Sequence, residues 1–166
     1  MIPEAIQRIA NDSERQLAWH FFLFFSRFEY ALKRQKLIQA KSKDARPAWK
    51  LFAKEHAAAF ASTNDPRLKK AIEYFKCHPP KKQVHEDRKL RWADPEFFPG
   101  GPLLPWLLEQ VQIVRNNLFH GGKFPEKAVP DPSRDRILIE NSLVILGCSL
   151  RLNSHVEHSF YEGIDL

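Results

Sequence analysis

The sequence predicts an all-α fold, an antiparallel helical bundle of about five helices forming a single domain over residues 1–166. Three observations carry that expectation. Apolar residues recur at helical spacing along most of the chain. Prolines and capping residues fall where those runs begin. No stretch sustains the alternation of a half-buried strand. With 166 residues, of which 43% are hydrophobic, the chain suits one core, and no repeat, low-complexity tract or Gly/Ser linker divides it.

The elements follow in order. After a short segment around Pro3 to Ile9, Ser13-Glu14-Arg15-Gln16 reads as a capping box. Leu17, Phe21, Phe24, Phe28 and Ala31 then form one helical stripe, while Trp19, Phe22, Leu23 and Phe25 fill the other side. The middle of this helix is therefore expected to be buried all round, and the helix to run to Leu37 or Ile38. A second helix is expected from Pro47, carrying Trp49, Phe52, His56 and Phe60 as core. A third follows the cap Asp65, with Pro66 in its first turn, and carries Leu68, Ile72 and Phe75. Pro79-Pro80 ends it, and residues 79–101 read as a long basic loop with room for one short helix. The fourth helix spans Pro102 to Phe119 with Leu104, Leu107, Leu108, Val111 and Val114 inward, and Gly121-Gly122 stops it. The last long helix starts near Asp131 or Ser133 and carries Ile137, Leu138, Leu143, Val144, Leu146 and Leu150.

Composition narrows the setting. Cys77 and Cys148 are too few for a disulfide framework and read as reduced thiols. The start Met1-Ile2-Pro3-Glu4 lacks the pattern of a signal peptide. Leu17 to Phe25, the longest apolar stretch, is far shorter than the ~20 residues that span a bilayer. A soluble, cytoplasmic protein without a membrane partner is the expectation. The net charge of +6 is uneven: residues 33–91 hold 17 Lys/Arg and 6 Asp/Glu, a net +11, and the rest of the chain is net −5. Such a segment suits a polyanion, with Lys81, Lys82 and Lys89 as RNA contacts. It equally suits a solvated lysine-rich face.

The sharpest local feature is Arg115-Asn116-Asn117-Leu118-Phe119-His120-Gly121-Gly122-Lys123 at the end of the fourth helix. Asn116 and His120 lie a turn apart on one face, so the amide can hold the imidazole. Arg115 points about 140° away on an ideal helix, and its long fork can swing round. The unpaired carbonyls of a helix C-terminus favour imidazolium, which suits an acid at neutral pH. The same residues also describe an ordinary helix end. Spacing alone does not decide, because Arg15 and His20 repeat it and Arg151 and His158 stand with six residues between them.

In its setting, Arg115-Asn116-x3-His120-Gly121 resembles the Arg-x4-6-His motif of the HEPN superfamily, all-α proteins of prokaryotic toxins and antiviral effectors. Phe25-Ser26-Arg27-Phe28-Glu29-Tyr30-Ala31-Leu32-Lys33 looks like the aromatic and acidic first core helix of several HEPN groups. The resemblance implies a two-fold homodimer in which two motifs face one RNA cleft. It implies metal-independent cleavage through the neighbouring 2′-OH, leaving a 2′,3′-cyclic phosphate and a 5′-OH. Mapped onto this chain, His120 would move the proton and Arg115 would stabilise charge on the scissile phosphate. Asn116 would orient His120 or the phosphate, Lys123 would add an electrostatic contact, and Glu29 would support Arg115 or form a structural salt bridge. A cognate antitoxin or regulator is a further implied partner. HEPN toxins paired with a nucleotidyltransferase carry a modified tyrosine two residues after the motif histidine, and here that position is Gly122. Neither Tyr74 nor Tyr161 offers a substitute.

No cofactor or metal is expected. Cys77, His78 and His85, or His155 and His158, lack a paired zinc-ligand pattern. His20 and His56 read as core or interface histidines, and no phosphate loop or serine-nucleophile motif occurs. The competing expectation is a catalytically silent HEPN module that binds RNA or a protein.

Overall fold

Helix α1 (Asp12–Arg34) is the spine of the molecule, and one of its faces is the aromatic stripe the spacing predicts. Phe21, Phe28 and Ala31 are fully buried. The computed structural model describes residues 12–119 and 132–163. Within them, α1 is followed by α2 (Trp49–Ala61), α3 (Pro66–Cys77), a hairpin of β1 (Gln83–Glu86) and β2 (Lys89–Trp92), then α4 (Leu103–Phe119), α5 (Pro132–Leu150) and α6 (Ser154–Tyr161). The fold is an all-α bundle with one small hairpin added. The segment Pro3 to Ile9 lies outside the described residues.

Helix α1 ends at Arg34, short of the expected Leu37. The cause is Lys36, which takes a left-handed backbone (φ 62°) without being a glycine. The Leu37 amide donates to the Leu32 carbonyl (3.0 Å) and the Lys36 amide to that of Lys33 (3.0 Å), a closing pair that satisfies the last turn. The chain then pairs briefly with itself, Ile38 against Pro47, which delays α2 to Trp49. The expected burial of α1 all round is also corrected. Trp19 is 56% exposed, and Phe22 and Leu23 are exposed beside it, because α2, α5 and α6 cover the other face.

The core forms where Phe28 meets Trp49 and Phe52 of α2, with ring centroids 5.0 and 5.4 Å apart. Helix α2 in turn packs on α4, whose Leu104, Leu107, Leu108, Val111 and Val114 are all buried as the spacing predicts. Helix α5 packs on α3 and α1, and its Leu138, Ile145 and Leu146 are buried. Its Ile137 is exposed, and Ile139 is the buried neighbour. Ser142 and Ser149 are fully buried in α5, each donating to the carbonyl four residues earlier at 2.7 Å.

Helix α6 was not legible as a separate element. Asn153 caps it, its side-chain oxygen accepting from the His155 and Val156 amides at 3.1 Å. Arg27 of α1 closes its other end by donating to the carbonyls of Phe160 (2.6 Å) and Glu162 (2.7 Å). The Asn153 amide also meets His56 Nε2 at 3.2 Å, and His56 packs against Phe52. His56 is therefore a half-buried bracing residue, whereas His20 is exposed rather than part of the core.

Asp65 caps α3 as expected, accepting from the amides of Arg67 (2.7 Å) and Leu68 (3.3 Å). The Arg67 amide bond, foremost, holds the Asp65 carboxyl below its usual range. Its contribution to stability is present above the ordinary carboxylate pKa and is lost as pH falls through the depressed folded value. Acid should thus weaken wild type through this cap more than Asp65→Asn, which keeps an acceptor but cannot titrate. Urea unfolding midpoints of both proteins at pH 7 and pH 3 check the difference.

Residues 79–101 depart most from expectation. In place of a loop, β1 and β2 pair antiparallel, Gln83 with Trp92, Val84 with Arg91, His85 with Leu90, and Glu86 with Lys89. The two turn residues, Asp87 (φ 49°) and Arg88 (φ 64°), are both left-handed, as a tight two-residue hairpin requires. A glycine normally marks such a turn, and Arg88 stands where it would be.

Candidate functional site

The last turns of α4 lie against the middle of α1. The Arg115 guanidinium sits over the Phe25 ring, 5.5 Å from its centroid, and Phe119 meets Phe22 edge-on at 5.3 Å. The helix periodicity that buries Val111 and Val114 turns Arg115 to a half-buried position and Asn116 to solvent. Arg115 Nη1 donates to Asn116 Oδ1 at 2.9 Å. That bond joins two of the three expected catalytic residues and orients one arm of the fork, while the guanidinium carbon rests over the Phe25 ring. His120, the third, follows Phe119 directly in the sequence and lies outside the described residues, as does Lys123.

Glu29 does not join them. Its carboxylate accepts from the Trp49 indole N–H at 3.2 Å, and no ion pair links it to Arg115 among the described residues. The physical reason is position: Glu29 lies one turn beyond Phe25 on α1, on the side that receives α2, and Trp49 carries a donor needing a partner in a half-buried site. What it does in this structure is seat the Trp49 indole.

Asn117, which the motif reading left without a role, ties this site to the basic segment. Its Nδ2 donates to the Lys81 carbonyl at 2.8 Å. From the start of α5, Arg134 Nη2 donates to the Pro79 carbonyl at 3.3 Å. The base of the hairpin is thus held at the end of α4, and Lys81, Lys82 and Lys89 are all exposed along it. Spacing could not reveal this, because a side chain reaching a backbone 36 residues away leaves no local pattern.

The remaining candidates separate. Cys77 is exposed at the end of α3 and His78 stacks on Tyr74 at 4.9 Å, while His85 lies out on the hairpin. No group of three or more His, Cys, Asp or Glu positioned to hold a metal occurs among the described residues. Burial, and then the Asp65 carboxylate, push the Cys148 thiol up, which makes it a poor nucleophile. No helix among the described residues is long and apolar enough to cross a membrane. In comparisons with known proteins, the chain matches no family model, no curated protein and no solved structure.

Proposed function

We propose that the chain is a metal-independent endoribonuclease of the HEPN type, working as a homodimer in a toxin or antiviral defence role. The observation that carries this reading is the Arg115–Asn116 hydrogen bond at the exposed end of α4, one residue after Phe119 being His120. An oriented guanidinium suits two phosphate oxygens, and an imidazole beside it suits transfer of the ribose 2′-OH proton. The exposed cations Lys81, Lys82 and Lys89, tethered to the same helix end by Asn117, support RNA as the substrate.

Two motifs would bracket one phosphodiester in the dimer. In support, Trp19, Phe22 and Phe119 form a continuous, exposed aromatic run beside the motif, with centroids 5.4 and 5.3 Å apart. Light scattering at micromolar concentration should give a dimer, and Phe22→Asp should return it to monomer. A wild-type monomer would remove the composite site. RNA incubated with the protein in EDTA should be cut to 2′,3′-cyclic phosphate and 5′-OH ends. Cleavage that needs Mg²⁺ and leaves 5′-phosphate would overturn the mechanism.

A catalytically silent RNA-binding module is the second reading. What favours it is the packing of Arg115 over Phe25, a contact that also serves a purely structural arginine. Bound but uncut RNA in the same incubation would select it.

A further inference from the structure

A two-stranded hairpin of four-residue strands is marginal by itself in water. This one is anchored at its base, through Asn117 to the Lys81 carbonyl and Arg134 to the Pro79 carbonyl, and the Ala93 amide extends its ladder to the Lys82 carbonyl at 2.9 Å. Beyond the anchor it projects. All four residues of β2 are exposed.

Its two faces differ in chemistry. The register puts Val84, Glu86, Lys89 and Arg91 on one face, where Arg91 pairs with Glu86 at 3.2 Å. The other face carries Gln83, His85, Leu90 and Trp92 and no carboxylate. Leu90 is 73% exposed and Trp92 38% exposed there. From Lys81 to Trp92 the arm holds five Lys/Arg against two Asp/Glu. An apolar face of one indole and one leucine is too small for a protein interface, which needs roughly 800 Å² on each side. It suits a single unstacked base, and the surrounding cations suit the phosphates on either side of it.

We propose that this arm is a binding site for single-stranded RNA, separate from the motif at the end of α4, in which an unpaired base stacks on Trp92 beside Leu90. Lys81, which continues the Trp92 face, takes a flanking phosphate, while Lys82 and Lys89, rooted on the opposite face, engage the strand's phosphates as it leaves the stacked base. Stacking accepts any base, so the arm adds affinity without reading sequence, and it prefers single strands because paired bases hide their faces. The choice of RNA rests on the function proposed above; the arm itself requires only a single strand.

The test uses a short fluorescein-labelled 2′-O-methyl oligouridine, which lacks the 2′-OH nucleophile and reports binding by polarisation whether or not the protein cuts RNA. Trp92→Ala should weaken binding roughly five- to 150-fold, the range for one stacked base, without changing its salt dependence. Trp92→Phe should keep most of the affinity, and Leu90→Ala should fall between. Reversing Lys81, Lys82 and Lys89 together should flatten the salt slope by roughly one unit per lost phosphate contact. Both apolar residues are exposed, so unfolding midpoints should match wild type. Binding of Trp92→Ala within twofold of wild type overturns the arm, as does equal affinity for a duplex of the same length, or no binding by wild type. Parallel incubation with unmodified RNA keeps the two readings apart. Weakened binding by Trp92→Ala with no cleavage by wild type supports the arm and ends the ribonuclease reading; cleavage with unaltered Trp92→Ala binding does the reverse.

Discussion

Replacing His120 by alanine should lower RNA cleavage at least ~100-fold, the low end for removing a general acid or base. Arg115→Lys should also cut poorly. An ammonium keeps the charge, but it gives up the fork that bonds Asn116 and lies over the Phe25 ring. Both residues belong to the end of α4 or follow it, beyond the buried run from Leu104 to Val114, so neither change should disturb the core. Single-turnover rates, with circular dichroism and light scattering on the same samples, make the check. A His120→Ala variant that cuts at the wild-type rate would remove the histidine from the mechanism and leave the bundle unaffected.

The second large effect contrasts the two faces of α1. Phe28 is fully buried against Trp49 and Phe52, and truncating it to alanine should cost about 3–5 kcal/mol, the usual figure for a core phenylalanine. Trp19, nine positions earlier and larger, is exposed, and Trp19→Ala should change monomer stability by less than about 0.5 kcal/mol. Urea unfolding at a concentration that keeps the chain monomeric measures both. Similar losses in the two variants would mean that α1 is enclosed on all sides, as its apolar sequence alone implies.

That contrast marks what the sequence can and cannot carry. Periodicity located five helices because each buries a stripe, and the stripe repeats at 3.6 residues whatever packs on it. It could not distinguish a covered apolar face from an open one, so Trp19, Phe22 and Leu23 read as core. Turn chemistry was weaker still. Lys36, Asp87 and Arg88 take left-handed backbones without the glycine that would have announced them, which hid both the end of α1 and the hairpin. The shortness of α6 hid it too, although Asn153 stands at its start. Arg115 and Asn116 come together in the site because they are neighbours on one helix. Glu29 rests on likeness to a pattern, and that likeness carries no sign of the indole donor its carboxylate meets.

The bonds from Asn117 and Arg134 have a thermodynamic consequence for the whole bundle. Both close on the three residues Pro79 to Lys81, so the last turn of α4, the first turn of α5 and the arm share one docked state. Coupling between linked sites is reciprocal. Whatever coupling factor the two bonds carry, an occupant of the arm that strengthens the docking of the helix ends is itself held more tightly, by that factor, when those ends are docked. The hairpin and the end of α4 are in this way tied through a main-chain carbonyl, although they stand on different elements.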